Sequence, residues 1–148
     1  YIDGKFSVKD FGAITTDKDT PFPKRLCEIY EDYCQILDSW KPDALSIERL
    51  YFTNNQKTGI DVAQARGIII MAAAQRGIEI NEYTPLQVKQ AVVGYGQAVK
   101  KQVQEMTKNI LKLSCVPKPD DTADALAMTI CHAQTSGSLL RNIKASNI

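Results

Sequence analysis

The chain has 148 residues, 44% of them apolar and 24% charged, enough to bury one core and too mixed for a fibrous or disordered chain. No apolar run is long enough to cross a bilayer, and the longest, Ile68 to Ala74, has no signal-peptide flanks. The net charge of +1 hides an uneven distribution: residues 1–84 hold 10 basic and 13 acidic side chains, whereas residues 85–118 hold six lysines against the single acid Glu105, where a polyanion would sit.

Along the chain the pattern is that of an α/β protein with a single domain over 1–135 and a loosely ordered tail over 136–148. Asp3-Gly4 reads as a two-residue hairpin turn, and the apolar, β-prone run Phe6 to Ile14 as the strand that follows it. Thr20 and two prolines introduce a helix with the stripe Leu26, Ile29, Tyr30, Tyr33, Leu37 and Trp40 at helical spacing, a core or interface face. Ala44 to Glu48 is short and apolar before its acid, as a buried central strand should be. A helix from about Thr58 to Arg76 follows and ends at Gly77, its run Ile68 to Ala74 expected to be buried.

Ile78 to Tyr83 alternates with the period of a half-buried strand. Thr84-Pro85-Leu86-Gln87 then has the form of a capping box with proline at the first helical position. Gly94 and Gly96 break this helix, and the next is expected to bury Val99, Val103, Met106, Ile110 and Leu113. Pro117 and Pro119 precede a last, alanine-rich helix from Asp121 to about Thr135. Cys27, Cys34, Cys115 and Cys131 show neither CxxC spacing nor a clustered histidine, so they are expected to be free thiols of a reducing cytoplasm, without zinc. His132 is expected to be a packed or surface helix residue without chemistry.

The chemistry points to acids. Asp121 and Asp124, three apart on a helix, share one face, and Glu48 ends a strand that can meet them. Carboxylates so gathered suit hard cations such as Mg²⁺, which can activate a water and stabilise the leaving oxygen when a phosphodiester is cut. The alternative for the aspartates is an N-cap followed by a favourable first-turn acid.

Five short segments in order carry a resemblance: Ile47-Glu48-Arg49-Leu50-Tyr51-Phe52, Gln64-Ala65-Arg66-Gly67, Gln87-Val88-Lys89-Gln90 with Val93-Gly94-Tyr95-Gly96, Lys100 with Gln102-Val103-Gln104, and the Asp121/Asp124 helix. From roughly Phe6 to Thr135 the chain resembles the RuvC-type Holliday junction resolvases. The resemblance implies a ribonuclease H-like fold, a mixed sheet with helices on both faces, and metal-dependent symmetric nicking of two opposing strands of a four-way DNA junction in recombination and repair.

It also implies Glu48, Asp121 and Asp124 as catalytic metal ligands for two Mg²⁺ ions, with Mn²⁺ an acceptable substitute. Lys89, Lys100 and Lys101 are implied DNA contacts, together with Tyr51 or Phe52 stacking on an unpaired base at the crossover. The partners it implies are junction DNA, a second copy of the chain through the helix Gln64 to Ala74, and a branch-migration helicase complex; no membrane is implied.

Family members begin with an apolar-Ile-Asp-Pro-Gly strand carrying a fourth carboxylate. Ile2-Asp3-Gly4 imitates it without a preceding apolar strand, so the chain is expected to start after that strand pair, with three of the four acids. Two alternatives follow: a module that binds junction DNA without cutting it, and a related ribonuclease H-like nuclease with a different substrate.

Overall fold

The computed structural model describes the backbone of residues 1, 5–49 and 56–146, and the side chains of all of these except 56–58 and 137–146. The described elements, in order, are α1 (Phe22–Trp40), β1 (Ala44–Glu48), α2 (Gln56–Ala74), β2 (Glu79–Tyr83), α3 (Pro85–Val93), α4 (Lys100–Leu111) and α5 (Asp120–Ser146). β1 and β2 pair in a small parallel sheet, connected through α2 as parallel neighbours must be. The chain divides into two compact units: Tyr1–Ala13, Ser46–Glu48 and Glu82–Ile148 form one, and Ile14–Leu45 with Arg49–Asn81 the other.

The first unit is built on α3, α4 and α5, which pack on one another. Its core is Tyr83, Val88, Val92, Ala98, Val103, Ala127, Ile130 and Cys131, with Phe6 packed against it. Helix α3 starts where the sequence says it must: Thr84 Oγ1 accepts from the Gln87 N–H at 3.1 Å while Gln87 Oε1 accepts from the Thr84 N–H at 2.8 Å. It stops at Gly94, whose φ of 91° is a left-handed conformation that glycine adopts without a Cβ penalty. Half of the same device starts α4, where Gln102 Oε1 accepts from the Val99 N–H at 3.0 Å and valine has no polar group to reciprocate.

The buried face of α4 differs from the apolar stripe expected. Val103, Gln104 and Thr107 are buried, and Val99 and Met106 are exposed. Val99 sits outside the helix as its cap, and Met106 falls at the edge of the face turned to α5. Gln104 Nε2 and Thr107 Oγ1 are buried without hydrogen-bond partners among the described residues. Helix α5 starts at Asp120, so neither Asp121 nor Asp124 is its cap. It also runs past Thr135 to Ser146, where a loose tail was expected. Thr135 and Ser136 donate to the Cys131 and His132 carbonyls at 2.8 Å, so these polar residues are accommodated within the helix. His132 is packed, its Nδ1 at 2.8 Å from Tyr83 Oη.

Residues 6–14 are not a strand. Lys5 makes an isolated bridge, and the run after it has no ladder. Propensity alone does not make a strand; its backbone groups need a paired neighbour, and no described segment offers one. β1 is half-buried rather than fully buried, because its sheet has two strands among the described residues. The hairpin turn expected at Asp3-Gly4 lies outside the described residues.

In the second unit α1 packs on α2 around Leu37, Ala72, Ala73 and Ile78, with Tyr30, Tyr33, Cys34, Leu45 and Ile80 against them. The α1 stripe holds except at Trp40, which is 53% exposed at the last helical position, beyond the buried Leu37. On α2 the expected burial of Ile68 to Ala74 is limited to Ala72 and Ala73 on the face toward α1, and Met71 is exposed. All four cysteines are free.

Arg76 donates from Nε to Asp38 Oδ1 at 2.6 Å and from a terminal nitrogen to Oδ2 at 2.9 Å, a two-point ion pair between the ends of α1 and α2. The Arg76 hydrogen bonds hold the Asp38 carboxyl below its ordinary value of 3.8, helped by the Arg76 and Lys41 charges and opposed by partial desolvation. Because the folded pKa lies below the unfolded one, the pair's contribution is present above the ordinary value and is lost as pH falls through the depressed folded pKa. A carboxyl NMR titration should therefore place the Asp38 midpoint below 3.8, and Arg76→Ala should return it there; an unchanged midpoint in the variant would mean that Arg76 is not the cause.

Candidate functional site

Four of the residues singled out by their chemistry line one cleft of the first unit. Glu48 enters it from the end of β1, Lys89 from α3, Lys100 from the first position of α4, and Asp124 from the second turn of α5. The cleft has a volume of about 220 Å³, and its apolar walls are Pro85, Val88, Val103, Ala127 and Met128. Val88 and Lys89 are neighbours on a helix fixed by its capping box. Ala127 and Met128, three and four residues after Asp124, stack on the same face of α5. The three- and four-residue spacing from Asp124 is the sequence signal for these walls.

Lys100 Nζ lies 3.0 Å from Asp124 Oδ2 and 3.8 Å from Asp120 Oδ2. Its ammonium is held above the ordinary lysine pKa first by the hydrogen bond and charge of Asp124 and then, against partial desolvation, by the charges of Asp120 and Asp121. Lys118 Nζ meets Asp120 Oδ1 at 2.6 Å, and this hydrogen bond is the main reason the Asp120 carboxyl lies below its ordinary value. Gln104 faces the same carboxylate without making a well-formed hydrogen bond to it. Asp120 is the residue that sequence reasoning missed; its only signal was the Asp120-Asp121 doublet, and its contact with Lys100 is tertiary.

The other residues stand elsewhere. Asp121 is exposed in the first turn of α5 and is not part of the cleft wall. Lys101 is exposed, one position round the helix from Lys100, and does not line the cleft. Tyr51 and Phe52 lie outside the described residues. Among the described residues no three acids, histidines or cysteines are grouped so that they could hold a metal ion. The donors the cleft does offer, the carboxylates of Glu48 and Asp124 without thiolate or imidazole, suit a hard cation. Two lysines beside two acids also give it opposite charges at close quarters, as a site needs that must take both a cation and a phosphate.

No described helix is long and apolar enough to cross a membrane. A family model described as Crossover junction endodeoxyribonuclease RuvC matches residues 3–132. A protein of that name from Ruminiclostridium cellulolyticum is 52% identical over 144 residues, covering 96% of this chain and 87% of the relative. Another, from Fusobacterium nucleatum, is 45% identical over 148 residues, covering 100% of this chain and 78% of its own length.

The structure of Thermus thermophilus RuvC superposes with a TM-score of 0.74 at 33% identity, over 81% of this chain and 72% of that one. The T. thermophilus RuvC structure in complex with a Holliday junction substrate gives 0.75 at 34% identity, over 80% and 72%. With most of its length matched by the family model, by relatives about half identical and by the fold, the chain belongs to the crossover junction endodeoxyribonuclease RuvC family and has its ribonuclease H-like fold.

Proposed function

We propose that this chain resolves four-way DNA junctions by nicking two opposing strands, with Glu48 and Asp124 holding Mg²⁺ at the cleft and Asp121, exposed at the start of α5 with its charge acting on Lys100, turning in as a further ligand when the cation and DNA bind. The observation that supports this best is the convergence of Glu48, Lys89, Lys100 and Asp124 on one cleft. Mg²⁺ held by these carboxylates, as one ion or two, would supply an activated water and charge stabilisation for the departing 3′ oxygen. The protein's own part is to hold the phosphodiester still. Lys89 and Lys100 bind its oxygens as point charges, and Lys101 lies on the same helix turn for a neighbouring phosphate. The apolar walls Val88, Val103 and Met128 flank these charges, which stay partly exposed and open to a phosphate. Tyr51, with Phe52 beside it, stacks on an unpaired base at the crossover.

The chain works as a homodimer, since a junction with two-fold symmetry presents two equivalent phosphates to two equivalent sites. Ile60 and Met71, apolar, exposed and eleven residues apart on one face of α2, support that helix as the contact between copies. Residues 1–135 act as one resolvase domain in the cytoplasm, with a branch-migration helicase complex beside it on the junction. The test is a gel assay of a synthetic four-way junction with and without Mg²⁺, using duplex DNA of the same sequence as competitor. Paired nicks at symmetric positions, dependent on the cation and resistant to duplex, are expected. Junction binding with no nick at any cation concentration would overturn the nuclease reading in favour of a binding module.

A further inference from the structure

Lys100 stands between two carboxylates of α5 that lie four residues apart and so on one face. It touches Asp124 Oδ2 at 3.0 Å and reaches Asp120 Oδ2 at 3.8 Å, while Lys118 holds the other oxygen of Asp120 at 2.6 Å. These side chains are between 43% and 74% exposed, so each pair is weak and can exchange partners.

We propose that Asp120 and Lys118 are positioning residues which set how readily Asp124 receives a divalent cation: Asp120 competes with Asp124 for Lys100, and Lys118 competes with Lys100 for Asp120. This rests on the reading of Asp124 as a cation ligand. An ammonium on Asp124 must withdraw before a cation takes that oxygen, and the ease of withdrawal depends on where it can go. Asp120 is the next carboxylate within its reach, so it favours loading. Lys118 already occupies Asp120 and repels a second ammonium there, so it opposes loading. Both act through Lys100, which passes from Asp124 to Asp120 as the cation binds and remains at the cleft for the phosphate.

A plain field effect gives the same signs for single changes, because losing an acid weakens cation binding and losing a base strengthens it. Additivity separates the two accounts: independent field effects add, whereas residues acting through a shared partner do not. The measurement is Mn²⁺ binding to the full chain without DNA, read from the electron paramagnetic resonance of the free ion. Asp120→Asn should raise Kd about threefold and Lys118→Gln lower it about twofold, the scale of exposed ion pairs. Asp120→Glu should restore the parent value.

In a Lys100→Gln background both effects should vanish; if they persist at full size, the competition over Lys100 is wrong. Asp124→Asn distinguishes the two levels of the argument. If it weakens Mn²⁺ binding while the Lys100 cycle is additive, only the competition is overturned; if it leaves Kd unchanged, the assignment of Asp124 falls and the proposal with it.

Discussion

Asp124→Asn is expected to lower the rate of junction nicking by at least about a hundredfold, the scale on which metal-site residues act, without weakening junction binding. The substitution keeps the shape of the side chain and removes its charge. Asp124 is partly exposed and paired with an exposed Lys100, so little folding stability depends on it. Binding is expected to hold or to tighten, because the change releases Lys100 toward phosphate and takes a negative charge out of a cleft that receives a polyanion. Loss of rate with an unchanged Kd thus identifies a group that acts in the chemical step. Parallel loss of binding and melting temperature would instead show that Asp124 supports the fold, and the assignment would fail.

The largest stability effect is expected at Ile130, which is fully buried in the middle of α5. Ile130→Ala should cost about 2–5 kcal/mol, since the lost transfer energy adds to the cavity left between helices that relax only in part. For a chain of this size that lowers Tm by roughly 5–15 °C. A fall of this size is a large share of the stability of an ordinary domain, so the purified variant is expected to be marginal at 37 °C. Calorimetry decides the matter, and a drop below 1 °C would mean that Ile130 is not the centre of this core.

How far the chain could be read in advance depended on whether the signal was local. Thr84 and Gln87 announced the start of α3 because a capping box is complete within four residues. Leu37 and Tyr33 marked the packed side of α1 by helical spacing. The strand Glu79–Tyr83 was visible too, but its clean alternation is not kept: Ile80 and Asn81 are both half-buried, and Tyr83, on the face opposite Ile80, packs in a different core. Residues 6–14 were misread for the opposite reason: β propensity is local, but a strand exists through its neighbour. Gln104 and Thr107 mark a second limit. They are buried where Val99 and Met106 were expected, because the turn of α4 toward α5 is a tertiary choice that hydropathy does not encode. In the cleft, residue types and family resemblance pointed to Glu48, Asp124, Lys89 and Lys100 in advance. The pairing of Lys100 with Asp124, the placement of Asp121 away from the cleft wall, and the part of Asp120 required three dimensions.

Beneath the charges of the cleft lies Ala127, fully buried and at the same time part of the wall. Ala123, four residues earlier on the same face of α5, is also buried. Ala127 shares its core with Val88 of α3 and Val103 of α4. A larger side chain at position 127 could be accommodated only by shifting these helices, so the seating of the charged residues above depends partly on a residue with no polar atom to offer.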